Sequence, residues 1–427
     1  MKFAKLSLAT VLALGSSAYA LELENIKVSG QATLYYQTQD DTSITGDTDK
    51  SLFHQNNSKA NAGLSIKFAS DLGNGFGFGA RLNVLDTLGL EHNLVLKPMQ
   101  TVGDEKWYFG EAYLTKKMGK TLLKAGRQEL DTPLLFSEKW NVMPTTFNSV
   151  VAINSDIDNV TLIGAYVGKS NTHGSLDDFN TLVDVNGSIQ QLAKDGAYAV
   201  AGLYGKDNTK AGVWFYNVPT VANAVWADVS MTIDDLKVTG QFAMMMPDKD
   251  GLQKHLGNKD LKTDDTFAFA LKTGYKVAKD TSVCVAVSNT SGSKDKLQLN
   301  VANLGTFKNN KPELIVGGIK TKLATATISG DGDVAGATDT TAYKIKVVQN
   351  LGEYGKLIGQ FAQYMHGADA SNDHKDETAT VFEALYKQKV GGVNVLGAYI
   401  YDQNVQGWTK AKDDATHSVR IVLNYKF

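Results

Sequence analysis

Cysteine is nearly absent: Cys284 is the only one in 427 residues, so no internal disulfide can form, and no Cys/His cluster has the spacing of a zinc site. Charge of one sign is lacking as well. Lys and Arg number 43 against 45 Asp and Glu, so the cationic surplus of a nucleic-acid binder is missing. Long apolar runs are also missing, and no stretch beyond the first twenty residues approaches the roughly 20 apolar residues of a transmembrane helix. The length alone suggests two or three soluble domains, but all-β barrels run longer as one unit.

What is present begins with a secretory signal. Lys2 and Lys5 precede the apolar run Leu6 to Leu14, which leads to Ala18-Tyr19-Ala20, an A-x-A cleavage site. Removal of residues 1–20 leaves a single domain over 21–427 whose charge is 41 minus 45, or −4. An exported chain without helical spans is either soluble or crosses a membrane as a β-barrel.

Alternation with period two fills the mature chain. Phe427, Tyr425, Leu423, Ile421 and Val419 alternate with Lys426, Asn424 and Arg420. The same period recurs in Val28, Ala32, Leu34 and Tyr36, in Phe76, Phe78, Ala80, Leu82 and Val84, and in Phe267, Phe269, Leu271, Tyr275 and Val277. A soluble β-sandwich shows the same alternation, so the spacing of the breaks has to discriminate. Eighteen strands are expected at about 26–39, 60–70, 76–85, 107–116, 121–127, 149–154, 160–168, 197–205, 211–217, 222–233, 236–245, 266–277, 282–290, 343–350, 356–364, 378–387, 393–401 and 418–427. Connections after even-numbered strands are short, and those after odd-numbered strands are mostly long, the longest running from about 291 to 342, where Leu314 to Val316 and Leu323 to Ile328 are candidates for a further hairpin. The six prolines and seven histidines fall in the long connections, as expected for proline, which has no ladder N–H to give. Tight turns on one side and long loops on the other mark an antiparallel transmembrane β-barrel of the bacterial outer membrane.

Hydrocarbon then dictates closure, because an open sheet would leave two edges of unpaired N–H and C=O groups. At about eighteen strands the interior holds an aqueous lumen. Lys67, Arg81, Glu111, Lys124, Lys272, Lys344, Lys346, Glu383 and Arg420 sit on the polar phase of their strands and are assigned to it. Trp107, Tyr108, Tyr113 and Tyr425 near strand ends suit either interfacial girdles or ordinary packing.

Residues Gly126-Arg127-Gln128-Glu129-Leu130-Asp131-Thr132-Pro133-Leu134-Leu135, followed by Pro144 and Phe147, resemble the strand-five end and constriction loop of OprD-type outer-membrane porins. The Ser137-Glu138-Lys139-Trp140-Asn141 continuation and the strand pattern are closer still to the Opr-family porins of Campylobacter-like bacteria. The resemblance implies a homotrimeric eighteen-stranded channel whose third long loop folds inward, which places Arg127 with Glu129, Asp131 and Glu138 at the constriction. Better-studied members carry an Arg-containing segment before the second Pro and a Gly after the Phe. Here those places hold Trp140-Asn141 and Asn148-Ser149, so the family's carboxylate specificity is not carried over.

The loop supports an inward fold without the resemblance. It mixes Glu129, Asp131, Glu138 and Lys139 with Leu134, Leu135, Phe136, Trp140 and Val142, and loops this apolar seldom stay in solvent. Its carboxylates would then face basic wall residues, with Arg81 and Arg420 in one sector, and such patches sort solutes by sign and size. Seven basic against two acidic wall residues hint at anions. Enzyme patterns fail. His173-Gly174-Ser175 lacks a supporting acid or amide. Ser329-Gly330-Asp331-Gly332-Asp333 lacks the remaining ligands of a calcium loop, as do Asp40, Asp41, Asp47 and Asp49, so solvated acidic loops account for them better and no cofactor or metal is expected. Three alternatives remain: a passive-diffusion porin for small hydrophilic solutes set among outer-membrane lipid and lipopolysaccharide, a barrel serving mainly as surface adhesin, and a secreted soluble β-protein.

Overall fold

The computed structural model describes residues 26–40, 51–100, 107–139, 142–170, 196–304, 320–368, 376–405 and 415–427. Trp140, Asn141, the His173 motif, the leader, Asp41, Asp47, Asp49 and Leu314–Val316 lie outside them. The strands are β1 (Lys27–Gln39), β2 (Ser58–Gly73), β3 (Phe76–Asp86), β4 (Trp107–Met118), β5 (Thr121–Gln128), β6 (Phe147–Asn154), β7 (Val160–Ser170), β8 (Ala197–Lys206) and β9 (Thr209–Val218). They continue as β10 (Ala222–Ile233), β11 (Leu236–Pro247), β12 (Thr266–Ala278), β13 (Thr281–Thr290), β14 (Thr340–Asn350), β15 (Lys356–His366), β16 (Thr378–Val390), β17 (Val393–Gln403) and β18 (Ala415–Lys426). Each pairs antiparallel with its chain neighbours, and β1 pairs with β18 from Gln31↔Lys426 to Gln39↔Ser418, which closes the barrel. Lys97–Pro98 adds a two-residue parallel pairing beside β2. All eighteen expected strands form. Pro247, His366 and His417 lie in strands rather than loops, Pro247 and His366 as the last residue of theirs.

The outer face carries the large apolar residues expected in contact with lipid, such as Val200, Val213 and Phe269, each more than half exposed. Trp107 and Tyr425 are exposed among them, whereas Tyr108 is buried and Tyr113 points inward, where its ring lies beneath the Lys124 ammonium at 3.7 Å. The interior is not uniformly polar. From β6 to β13 it is lined by Ala199, Ala224, Ala243, Ala268 and Ala286 with Trp214, Tyr216 and Trp226, all buried in one apolar cluster. Small residues are placed there because two loops fill the space. L3 (residues 129–146) packs Leu134 and Leu135 into that cluster, and L7 (residues 291–339) packs Leu299, Val301, Leu304 and Leu323.

Two β-bulges reset the alternation at the long-loop end. In β4 the extra residue is Gly110: Arg81 pairs with Glu111 and Leu82 with Phe109, so Glu111 turns inward while Phe109 and Trp107 stay outside. In β7 it is Gly168, between Ser149↔Val167 and Asn148↔Lys169. A Cβ on Gly110 would stand 2.2 Å from the Asn83 amide nitrogen, whereas one on Gly164 would meet nothing within 4 Å. Gly110→Ala should therefore destabilise the barrel by about 1–3 kcal/mol and Gly164→Ala should stay close to the parent, as read from urea unfolding in lipid vesicles. Equal midpoints for the two variants would remove the packing explanation of the bulge.

Candidate functional site

The base of L3 is fastened to the wall by a chain of charges. Lys67 Nζ lies 2.9 Å from Glu111 Oε2, Arg81 Nη1 lies 3.6 Å from the same oxygen, Arg81 also pairs with Glu129, and Lys139 Nζ reaches Glu129 Oε2 at 2.6 Å. Glu111 is almost fully buried. A carboxylate so placed is tolerable only because two cations neutralise it. Burial works against the charged form of Glu129, but hydrogen bonds from Lys139 and Arg81 and their charges outweigh it and hold the carboxyl below its ordinary range.

L7 is a second inward loop, where the strand spacing alone shows only a long connection. The Tyr364 hydroxyl of β15 donates toward the carbonyls of Thr325 (3.0 Å) and Gly330 (3.1 Å). Lys344 Nζ of β14 donates to the Ala326 carbonyl at 2.5 Å, and Gln241 Nε2 of β11 to the Lys322 carbonyl at 3.0 Å. The segment Leu323–Ile328, a candidate extra strand, is thus an irregular inward fold. L7 also grips L3. Asn303 accepts from Phe136 N (3.1 Å) and donates to Phe136 O (2.8 Å) and to Glu138 Oε1 (3.0 Å), while Lys322 pairs with Asp131. The signal for an inward L7 was available in Leu297, Leu299, Val301, Leu304 and Leu323, the same apolar density that betrays L3.

Several assignments change. Arg127 lies on the outer phase of β5: it pairs across with Ala112 and Asn148, donating to Asn148 Oδ1 at 3.1 Å and to Phe109 O at 3.3 Å. Glu138 is inside but 2% exposed, locked between the two loops. Glu383 is fully buried beneath L7, accepting from Ile328 N (2.7 Å), Ser329 N (3.1 Å) and Gln360. Lys344 is covered by the same loop. Asp331 is no solvated loop acid, because its buried carboxylate pairs with Lys320 and accepts from Thr321 N at 2.8 Å. Arg81 and Arg420 do not share a patch. Arg81 aligns through Lys67 with Ser29, whereas Arg420 aligns with Gln37, eight positions along β1, and lies over the Tyr35 ring at 5.7 Å. Lys67, Arg81, Lys124, Lys272, Lys346 and Arg420 are on inward phases. Among the described residues no cluster of three or more His, Cys, Asp or Glu is placed to hold a metal.

The loops leave a cavity of about 1090 Å³ against the opposite wall. It runs from Arg81, Glu129 and Lys139 to the short-turn mouth at Glu353, Lys356 and Phe427. Its charged lining is seven cations, Lys67, Arg81, Lys139, Lys356, Lys387, Lys389 and Lys426, against two carboxylates, Glu129 and Glu353. Lys356 stands directly opposite Lys387, an arrangement of like charges that a sheet does not favour on its own.

The family profile described as outer membrane porin, OprD family, matches residues 23–313. No curated protein matches the chain in sequence. Among solved structures, Pseudomonas aeruginosa OccK8 (OprE) is similar with a TM-score of 0.69 at 14% identity, over 95% of this chain and 98% of that one. Acinetobacter baumannii OccAB1 gives 0.69 at 14% over 96% and 99%. Pseudomonas aeruginosa OpdK, solved with vanillate, gives 0.64 at 13% over 95% and 99%.

Two loop carboxyls should act on stability with opposite signs. Glu129, held below its ordinary value of 4.5, contributes above that value and loses its contribution as pH falls through the lowered one. Asp331 is pushed up to about 7 by burial, against the pull of Lys320, so its contribution is full below its ordinary 3.8 and is lost as pH rises through about 7. The thermal midpoint should gain an increment as pH falls from 8 to 5 that Asp331→Asn removes. The loss below pH 4.5 should shrink in Glu129→Gln.

Proposed function

Since the chain belongs to the OprD family of outer-membrane porins, a channel of the bacterial outer membrane through which small hydrophilic solutes diffuse, we propose that its lumen favours anions. It is a channel and not an enzyme, and the adhesin alternative has no support. The observation that carries the anion preference is the excess of cations in the cavity, above all Lys356 and Lys387 facing each other with no carboxylate bonded to either among the described residues. An ammonium in a narrow, partly desolvated lumen attracts anions more strongly than it would in open water. Lys67, Arg81, Lys124, Lys272, Lys346 and Arg420 form the wall side of this field, and Glu129 and Asp131 form the loop side. Each of the two acids is partnered by a lysine, Lys139 and Lys322 respectively, which blunts its opposition to an entering anion. OpdK with vanillate, an aromatic carboxylate, is in keeping with small organic anions as permeants. In this proposal residues 1–20 are cleaved as the export signal, residues 21–427 form one barrel domain, and the barrel assembles as a homotrimer among lipopolysaccharide.

Planar-bilayer recording in a potassium chloride gradient tests the preference. The parent should reverse on the anion-selective side, and Lys356→Gln/Lys387→Gln/Lys389→Gln should move the reversal potential toward cations while keeping an open channel. A cation-selective parent, or a triple variant with the parent's reversal potential, would falsify the assigned field.

A further inference from the structure

Arg127, an outward guanidinium, does not belong to the lumen, and the fold goes to some trouble to give it company. It is the penultimate residue of β5, at the long-loop end, and its register partner Asn148 pairs in turn with Lys169 of β7. The three side chains therefore stand in a row on the outer face. Lys169 is there only because of the Gly168 bulge: with Val167 buried inside, regular alternation would send the residue two places on to the interior. The Gly110 bulge does the same for Trp107 and Phe109, which are 51% exposed beside Arg127. The guanidinium also caps the Phe109 carbonyl next to that bulge, at 3.3 Å. Both bulges interrupt a ladder that hydrocarbon otherwise demands intact, and both re-aim side chains outward at one height.

A cation in the lipid-facing phase costs about 2–4 kcal/mol at mid-membrane and falls toward zero at the interface. Aromatic side chains on the same face mark the interface level. We propose that Arg127 and Lys169, joined through Asn148, form a binding site on the outer wall for the phosphorylated headgroup of an outer-leaflet lipid, the phosphate of lipid A. An arginine presents a fork of donors that matches phosphate oxygens, and the lysine supplies a second positive charge across the row. Lys169 makes no ion pair or hydrogen bond with any described residue, so its ammonium is available. The site rests on the outer-membrane placement and is independent of any lumen selectivity.

Native mass spectrometry of the full-length protein in detergent, titrated with lipid A, dephosphorylated lipid A or phosphatidylglycerol, tests the site. The parent should retain lipid A, and Arg127→Gln/Lys169→Gln should retain it about tenfold less, the equivalent of one charge-assisted contact. Dephosphorylated lipid A should bind both proteins equally weakly, and Arg127→Lys/Lys169→Arg should bind lipid A as the parent does. Conductance of the Gln variant should equal the parent's, which certifies the fold and the outward placement. Equal lipid A retention by parent and Gln variant overturns the proposal, as does retention of dephosphorylated lipid A by the parent at the level of lipid A. Retention of phosphatidylglycerol at the level of lipid A would overturn the lipid A assignment in favour of a general phospholipid contact.

Discussion

Everything in this barrel depends on the absence of water around its backbone. Each N–H and C=O within the hydrocarbon must find its partner in the neighbouring strand, at a cost of several kcal/mol for every group left over. The seam between β1 and β18 meets that demand down to its last residue. Gly30 N donates to Phe427 O at 2.8 Å and Phe427 N returns a bond to Gly30 O at 3.0 Å. The aromatic ring fits beside Gly30 because no Cβ is there: one would stand 2.5 Å from the Phe427 ring. A wall closed in this way cannot open or bend locally, so variation in what the channel admits is left to side chains and loops.

The loops use that rigid frame asymmetrically. On the β6–β13 side the inner wall offers alanines and aromatics, and L3 and L7 settle there by ordinary apolar burial. On the opposite side the wall offers lysines, arginine and amides, and the cavity stays open. Three buried acids hold the loops in place. Glu383 takes two backbone N–H groups of L7, Glu138 takes the Asn303 amide, and Asp331 takes Lys320 and Thr321. Acids buried in this manner do not line the open cavity. The electrostatic bias of the open cavity is therefore a consequence of how the loops are anchored, as well as of the sequence's overall charge.

The strands were legible because a half-buried strand writes its period into consecutive residues, and because turn length follows from antiparallel geometry. Loop three was legible from its apolar content. Arg127 was misplaced because the resemblance, and not the alternation, put it at the constriction. Three residues beyond the inward Lys124 on a strand without a bulge, it falls on the outer phase by plain alternation. Glu138 and Glu383 were misplaced for another reason. Both do face the interior, but what covers Glu383 lies 55 residues away in the chain, and what holds Glu138 lies 165 residues away. Alternation reports which side of the sheet a residue takes and is silent on what later occupies that side.

The link between L3 and L7 has a further physical consequence. Asn303 bonds the Phe136 backbone through both ends of its amide, as a neighbouring strand would, so L3 gains a pseudo-strand partner where no sheet is available. The Leu304 amide adds a bond to the Leu134 carbonyl at 2.8 Å. L3 is thus held at its base by the Arg81–Glu129 pair and at its tip by L7, and L7 in turn hangs from Tyr364, Lys344 and Glu383 on the far wall. A bar fixed at both ends across a rigid ring keeps one aperture under thermal motion. Each loop carries irregular backbone, and groups that its own turns leave over, such as Phe136 N and O in L3 and Ile328 N in L7, find their partners in the other loop or in the wall.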